Sequence, residues 1–266
     1  MNIQNKTILV TGSTGGIGTE LCKLLMKKGA KLILTCYSAE QLARLKQELG
    51  GHGVTVTAEI DSVGGREHIT HECKNNGGID GVINLAGVLE FSMFEQQSHD
   101  SIERVMNINL VATMLLCRSL IPLLRTKPEA SIVNVGSTFG SIGYPGFAAY
   151  CASKAGVKCF TEAIARELAD TAINVSYIAP RATSTSLNTS EVNSLNDALG
   201  NKSDMPAYVA KEITKVLETN QAVRFLGWPE KLFVRVNALF PGIVHKALVK
   251  KLDVIKRYAN HKGELS

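Results

Sequence analysis

Short runs of apolar, mostly β-branched residues alternate with longer stretches in which apolar side chains recur at helical spacing. The short runs predict strands at Ile8–Val10, Leu32–Leu34, Val54–Thr57, Val82–Leu85, Ile132–Val135 and Val175–Ile178, with a seventh at Ala222–Leu226. The longer stretches predict helices at Ile17–Lys28, Ala39–Leu49, Gly65–Asn76, Ser101–Arg125 and Ala149–Ala169. This alternation is typical of a parallel sheet covered by helices on both faces, so we predict an α/β, Rossmann-like doubly wound fold.

Composition and charge narrow the class of protein. The 266 residues are 45% hydrophobic and 20% charged, which predicts one domain with a large core, and the net charge of +5 is too small to indicate nucleic-acid binding. Six scattered cysteines without a CxxC pair predict free thiols in a reducing, cytoplasmic compartment, and no metal site. The amino terminus leaves no room for a signal peptide, and no stretch approaches the ~18 uninterrupted apolar residues of a membrane-spanning helix.

A glycine-rich turn, TGSTGGIG, spans residues 11–18 between the first strand and the first helix. Glycines there permit a tight turn and let backbone N–H groups approach a pyrophosphate at the helix N-terminus. A flexible connection is the alternative interpretation. The position between strand and helix favours a dinucleotide-binding loop.

The ends of the next strands predict which dinucleotide binds. Thr35–Ser38, at the end of the second strand, carries hydroxyls and no carboxylate, so a ribose 2′-phosphate is not repelled. We therefore predict NADPH in preference to NADH, without excluding NADH. Asp61 follows the third strand and either orients the adenine or is solvated, while Asn84–Gly87 ends the fourth strand with small residues that permit close cofactor approach.

Candidate catalytic residues cluster around the segment from residue 136 to residue 154. Tyr150 and Lys154 lie four residues apart, on one face of a predicted helix, and Ser137 lies upstream across a glycine-rich turn. Asn109 lies in a strongly apolar helix, where it is either a polar link of the core or a site residue. Pro122 is expected to kink or end that helix.

Taken in order, these motifs resemble the short-chain dehydrogenase/reductase family. TGSTGGIG is similar to its TGxxxGxG loop and NLAG at 84–87 to its NNAG element, followed by Asn109, Ser137 and Tyr150-x-x-x-Lys154 in the family's order. The resemblance covers roughly residues 5–185 and departs at two points. Leu85 replaces an asparagine, and Arg181 follows Pro180 where the family has glycine.

The resemblance implies a role for each catalytic residue. Tyr150 would donate a proton to a substrate carbonyl oxygen, and Ser137 would hold that oxygen. Lys154 would bind the nicotinamide ribose and lower the tyrosine pKa from about 10. Asn109 would hold a water of a proton relay.

The resemblance also implies that the loop after the sixth strand covers the nicotinamide. Thr183 would hold the carboxamide and Thr185 would lie near the pyrophosphate. Arg181 would contact a cofactor phosphate or an anionic substrate, or point to solvent. The expected cofactor-binding residues are Gly12, Ser13, Thr14, Gly16, Ile17, Gly18, Tyr37, Ser38, Asp61, Ser62, Asn84, Ala86, Gly87, Tyr150, Lys154, Pro180, Arg181, Thr183 and Thr185.

The last third of the chain carries less recognisable pattern. Residues 184–208 are polar and precede a predicted helix, Ala207–Glu218. The family resemblance implies that they form a mobile lid over the substrate, the alternative being an ordinary surface loop. We expect the catalytic domain to comprise residues 1–227 and a basic helical extension to comprise residues 228–266. Packing of this extension on the domain or a partner subunit is favoured over contact with an anionic bilayer.

The sequence therefore predicts an NAD(P)(H)-dependent oxidoreductase that interconverts a carbonyl and an alcohol, most simply an NADPH-dependent reductase of ketones or lipophilic 3-oxoacyl substrates, acting as a homodimer or other homo-oligomer. One rival is a dinucleotide-binding sensor or scaffold without turnover, in which damage to Ser137, Tyr150 or Lys154 is expected; all three are present. Another is an epimerase or dehydratase, but those proteins are longer and carry a GxxGxxG loop.

Overall fold

One seven-stranded parallel sheet forms the centre of the computed structural model, which describes residues 1–259 of the chain. The strands are β1 Thr7–Thr11, β2 Lys31–Cys36, β3 Val54–Thr57, β4 Gly81–Asn84, β5 Ala130–Val135, β6 Ile173–Ala179 and β7 Val223–Phe225. Their order is β3-β2-β1-β4-β5-β6-β7, so the direction of winding reverses between β1 and β4. Ligands of such sheets bind at the carboxyl ends of the strands at this reversal. The predicted fold class is confirmed.

Helices cover both faces of the sheet. They are α1 Gly16–Lys27, α2 Ala39–Glu48, α3 Val63–Asn75, α4 His99–Met106, α5 Ala112–Leu124, α6 Ala148–Glu167, α7 Ser190–Ala198, α8 Pro206–Thr219, α9 Glu230–Leu239, α10 Pro241–Val249 and α11 Leu252–Ala259. Ile8 and Val10 of β1 pack into the core on the side of α1, α2 and α8, while Leu9 packs on the side of α3, α5 and α6. This alternation buries both faces of the sheet and explains its continuous apolar strands.

The fourth predicted helix is divided by a widened turn. Helices α4 and α5 are joined by a π-helical turn, Asn107–Val111, which holds the buried Asn109. Such turns are rare and concentrate at functional sites. Pro122 lies near the end of α5, which ends at Leu124. A helix end close to a proline is expected because proline has no backbone N–H to donate. By length and composition the stretch His99–Leu124 could cross a membrane. In this structure it packs against α3, α6 and β5, as one of the helices that flank the sheet.

The lid contains a helix that the sequence pattern did not reveal, whereas the extension is helical as predicted. Residues 184–208 were expected to be a polar segment, yet they fold α7, which Thr189 caps and which buries Val192 and Leu195. The extension forms α9 and α10, whose axes are bent by 119° at the break between them, and α11, which packs back on α7. Residues 260–266 of the predicted extension lie outside the described residues.

Candidate active site

A cavity of about 1230 Å³ opens at the carboxyl ends of the strands. One end is formed by the glycine-rich turn and by the ends of β2 and β3. The other end is formed by the lid and by α9 and α10. The candidate catalytic residues Ser137, Tyr150 and Lys154 lie in its wall between the two ends.

The glycine-rich turn has the shape of a phosphate-binding loop. Gly12 adopts a φ of +63°, and a Cβ there would stand 2.8 Å from the Cα of Ala86. Helix α1 begins after Gly15, which contributes no side-chain cap, so its first N–H groups remain available to a ligand. Backbone donors at a helix N-terminus suit an anion, so these residues fit the pyrophosphate of a dinucleotide.

Neutral polar side chains line the cavity where β2 ends. Thr14 Oγ1 lies 3.0 Å from Gln41 Oε1 and 2.9 Å from Cys36 Sγ, and Tyr37 is exposed beside them. Asp61 also lines the cavity, as predicted. Glu59 and Ile60 line it too, and the sequence analysis missed these two residues. Their position in the sequence could have indicated them, because both lie within three residues of the end of β3 at Thr57.

Four predicted cofactor-binding residues do not line the cavity, and their side chains serve the fold instead. Ser13 donates a hydrogen bond to the backbone oxygen of Thr35 at 3.2 Å. Ser38 and Ser62 cap α2 and α3. Asn84 donates to Asn134 Oδ1 at 2.8 Å within the core. These side chains have hydrogen-bond partners within the fold, although Asn84 Oδ1 is buried without a partner among the described residues, and a role for the four residues in cofactor binding stays a prediction. The other predicted cofactor residues line the cavity.

Burial dominates the acid–base properties of Tyr150 and Lys154. It raises the pKa of Tyr150 to about 12, against the opposing effect of a hydrogen bond with Ser137. Burial also lowers the pKa of Lys154 from 10.5 to about 8. Lys154 Nζ lies 5.9 Å from the centre of the Tyr150 ring, and the expected lowering of the tyrosine pKa by this ammonium is not found. Near pH 7 both groups therefore hold their protons.

Asn109 connects the segments around these residues. Its Nδ2 donates to Val88 O and to Ser153 Oγ, both at 3.0 Å, and its Oδ1 accepts from Val88 N at 2.8 Å. A Cβ on Gly87 would stand 3.2 Å from Asn109 Oδ1 and 3.5 Å from Lys154 Nζ. Since the side chain is saturated, Asn109 holds the end of β4 against α6; a proton relay through it stays a prediction.

Tyr177, on β6, is a positioning residue that the sequence pattern hid. It is fully buried, and its hydroxyl donates to Ser137 O at 3.1 Å and accepts from Ser137 N at 3.4 Å. It takes the space above Gly136, where no Cβ would fit. In sequence it is one more apolar residue of a buried strand, and only the register of β5 with β6 places it beside Ser137.

The loop after β6 lies beside both the glycine-rich turn and the catalytic segment. Thr138 N donates to Pro180 O at 3.0 Å, and Thr183 Oγ1 donates to Arg181 O at 3.0 Å. A Cβ on Gly16 would stand 2.9 Å from Thr185 Cγ2, so Thr185 packs on the phosphate-binding loop.

Aromatic and aliphatic side chains line the substrate end of the cavity. The rings of Phe139 and Tyr144 stack at 4.8 Å, and Phe139 meets Tyr150 edge-on at 6.4 Å. Apolar lining also comes from Leu187, Val192 and Leu195 of the lid and from Phe233, Val236, Ile243, Val244, Ala247 and Leu248 of the extension. The site suits a substrate whose carbonyl is carried on an apolar body.

Comparisons with known proteins agree with this geometry. A family model described as short chain dehydrogenase matches residues 6–196. The chain is 31% identical over 245 residues to a 3-oxoacyl-(acyl-carrier-protein) reductase of Vibrio harveyi, covering 90% of this chain and 96% of the relative. It is 31% identical over 252 residues to a cyclopentanol dehydrogenase of Comamonas testosteroni, covering 89% of this chain and 95% of that protein.

A solved structure supports the fold. The crystal structure of a 3-ketoacyl-(acyl-carrier-protein) reductase from Brucella melitensis complexed with NADH superimposes with a TM-score of 0.77 at 24% identity. The match covers 84% of this chain and 96% of that one.

Proposed function

Because the chain belongs to the short-chain dehydrogenase family, we propose that it reduces the carbonyl of a lipophilic substrate, with 3-oxoacyl thioesters as the favoured class. The family makes it an NAD(P)-dependent oxidoreductase acting on carbonyl and alcohol groups. The observation that carries the finer proposal is the place of Ser137, Tyr150 and Lys154 between a dinucleotide-shaped loop and an apolar chamber. The names of the relatives support 3-oxoacyl substrates and cyclic alcohols as test compounds.

Each residue of the site has a chemical task in this reaction. A nicotinamide held beside these residues would supply the hydride for the reduction. Ser137 holds the carbonyl oxygen by a hydrogen bond. Tyr150 gives its proton to that oxygen, which completes the alcohol, and its raised pKa keeps the phenol protonated at neutral pH. Lys154, protonated below pH 8, stabilises the phenolate until a proton from solvent replaces the one transferred.

NADPH is the proposed cofactor. No carboxylate lies within Thr35–Ser38, and Gln41 Nε2 remains a donor because Gln41 Oε1 takes the hydrogen bond from Thr14. The N-terminus of α2 adds backbone donors favourable to a phosphate. Since Thr14, Tyr37 and Gln41 carry no charge, we expect a modest preference over NADH.

The test is a panel containing 3-oxodecanoyl-CoA, acetoacetyl-CoA and cyclopentanone, followed by NADPH oxidation. We expect turnover with at least one compound and loss of turnover in Tyr150→Phe, with NADPH affinity unchanged. Tyr144→Phe is the matched control, because this tyrosine also lines the cavity, and it should stay active. Full activity in Tyr150→Phe would disprove the mechanism. NADPH binding without turnover of any carbonyl would favour the rival sensor or scaffold.

We propose a cytoplasmic location with peripheral contact to anionic membranes through the extension, residues 228–266, beside a catalytic domain of residues 1–227. Leu239, Phe240 and Ile243 at the bend between α9 and α10 are each at least 60% exposed. Lysines and an arginine lie on the same two helices or directly after them (Lys231, Arg235, Lys246, Lys250 and Lys251). An apolar face with flanking cations suits the surface of an anionic bilayer.

We also propose a homodimer or other homo-oligomer. Val111, Met114 and Leu115 form an exposed apolar stripe at the start of α5. A second copy of this chain would remove that stripe from water.

A further inference from the structure

Arg181 occupies a junction of three chain segments. Its Nε and Nη2 donate to Asp204 Oδ1 at 3.0 and 2.8 Å, and its Nη1 donates to Glu230 Oε2 at 3.2 Å and to Trp228 O at 3.3 Å. Asp204 lies where the chain returns from the lid, and Glu230 is the first residue of α9. One guanidinium therefore joins the loop after β6, the lid and the extension.

The backbone holds both ends of the lid at the same place. Asp204 N donates to Ala182 O at 2.8 Å, and Ser184 N donates to Asp204 O at 3.0 Å. On the other side of Arg181, Pro180 O accepts from Thr138 N, the residue after Ser137. Arg181 thus lies between Pro180, which binds the catalytic segment, and Ala182, which binds the end of the lid.

Space for the arginine comes from the last glycine of the catalytic domain, directly before the extension. Gly227 adopts a φ of +84°, and a Cβ there would stand 2.5 Å from Arg181 Cδ. Any larger residue at position 227 would displace the guanidinium from Glu230. The glycine that the family places after the proline is thus exchanged for an arginine, and Gly227 lies opposite that arginine, directly before the extension.

The charge pairing makes the junction sensitive to loss of the arginine. The side chains of Arg181 and Asp204 are 13% and 9% exposed, and Asp204 Oδ2 is buried without another partner among the described residues. Removing the arginine would leave a buried carboxylate uncompensated, which proteins tolerate poorly. The Asp204 carboxylate would then move toward water and displace the segment in which the chain returns from the lid.

We propose that Arg181 is a positioning residue that fixes the lid and the extension against the catalytic segment, so that the substrate chamber keeps its shape. It touches neither the carbonyl nor the proton path, and it acts through Asp204 and Glu230. This inference rests on the proposed reductase function for its kinetic readout, but not for its structural one.

The test compares Arg181→Met with Arg224→Met. Arg224 pairs with Glu212 and is similarly buried, but it does not line the cavity. Amide hydrogen exchange of residues 184–204 is the structural readout and needs no substrate. We expect Arg181→Met to speed this exchange by about tenfold or more relative to both wild type and Arg224→Met. Arg181→Lys, which can keep one ion pair, should fall between.

The kinetic readout uses 3-oxodecanoyl-CoA and NADPH. We expect Arg181→Met to raise the KM of the thioester by about tenfold while kcat changes much less, because the chamber and not the proton transfer is disturbed. Equal lid exchange in Arg181→Met and Arg224→Met would overturn the proposal, whatever the kinetics. If Arg181→Met speeds lid exchange but the wild-type protein shows no turnover, the positioning role stands and the reductase assignment is refuted.

Discussion

At the scale of single residues, Lys154 combines a functional task with a stability cost. Its ammonium is buried, donates to Val135 O at 3.2 Å, and has no carboxylate partner among the described residues. Burial of an unpaired charge disfavours the charged form, which is why its pKa falls to about 8. Such a residue is retained for chemistry, since an apolar side chain would suit the same space better.

Lys154→Met should therefore stabilise the protein at pH 7 and abolish turnover. The folded pKa lies below the unfolded one, so the unfolded state binds more protons between about pH 8 and 10.5 and wild-type stability rises across that window. The advantage of the variant should be largest below pH 8, up to roughly 3 kcal/mol, and shrink toward pH 10.5.

Chemical denaturation of both proteins at pH 7 and pH 10 measures this difference. Lys158→Met is the control, because Lys158 is partly exposed on the same helix and pairs with Glu162. A stability difference for Lys154→Met that is the same at both pH values would contradict a lowered lysine pKa.

At the scale of elements, the proposed preference for NADPH depends on the end of β2 and the start of α2. Tyr37 is 72% exposed and lines the cavity, so a substitution there disturbs little packing. Tyr37→Asp places a carboxylate near the expected 2′-phosphate, and like charges repel. We expect the ratio of NADPH to NADH affinity to fall by about tenfold or more.

Fluorescence titration with each cofactor measures that ratio. Tyr37→Asn, of the same size and without charge, should leave the preference close to wild type. An unchanged ratio in Tyr37→Asp would show that the 2′-position does not lie at the end of β2.

The bend between α9 and α10 is the element on which the proposed membrane contact depends. Leu239→Glu combined with Phe240→Glu replaces exposed apolar side chains by charges, so folding should be little affected. We expect strongly reduced sedimentation with vesicles of phosphatidylglycerol and phosphatidylcholine. Phe94→Glu, an equally exposed phenylalanine outside the extension, should bind as wild type does. Absence of wild-type binding at low salt would disprove membrane contact.

At the scale of the whole molecule, the exposed stripe on α5 predicts self-association. Met114 is 40% exposed beside Val111 and Leu115, so Met114→Arg should convert an oligomer into monomers without unfolding. Light scattering after size exclusion gives the mass, and Phe94→Arg serves as the surface control. A monomeric wild-type protein would remove the basis of this proposal.

The alternation of strands and helices, the glycine-rich turn and the Tyr150–Lys154 pair could be predicted from sequence, because periodicity and local spacing encode them directly. The π-helical turn around Asn109 could not be, since its residues keep an apolar helical pattern. Helix α7 was missed for the opposite reason: it is mostly polar, and only Val192 and Leu195 face the core.

What the sequence by itself determined is the kind of chemistry: a dinucleotide loop, a phenol and an ammonium in a known order. Tertiary structure decided which polar groups remain free to contact a cofactor or a substrate. Ser13, Ser38, Ser62 and Asn84 each make a side-chain hydrogen bond within the fold, while Tyr177 and Arg181 gain roles from contacts 40 and 23 residues away. Spacing along the chain encodes neighbours on one element, but hydrogen-bond partners on different elements exist only once the sheet has formed.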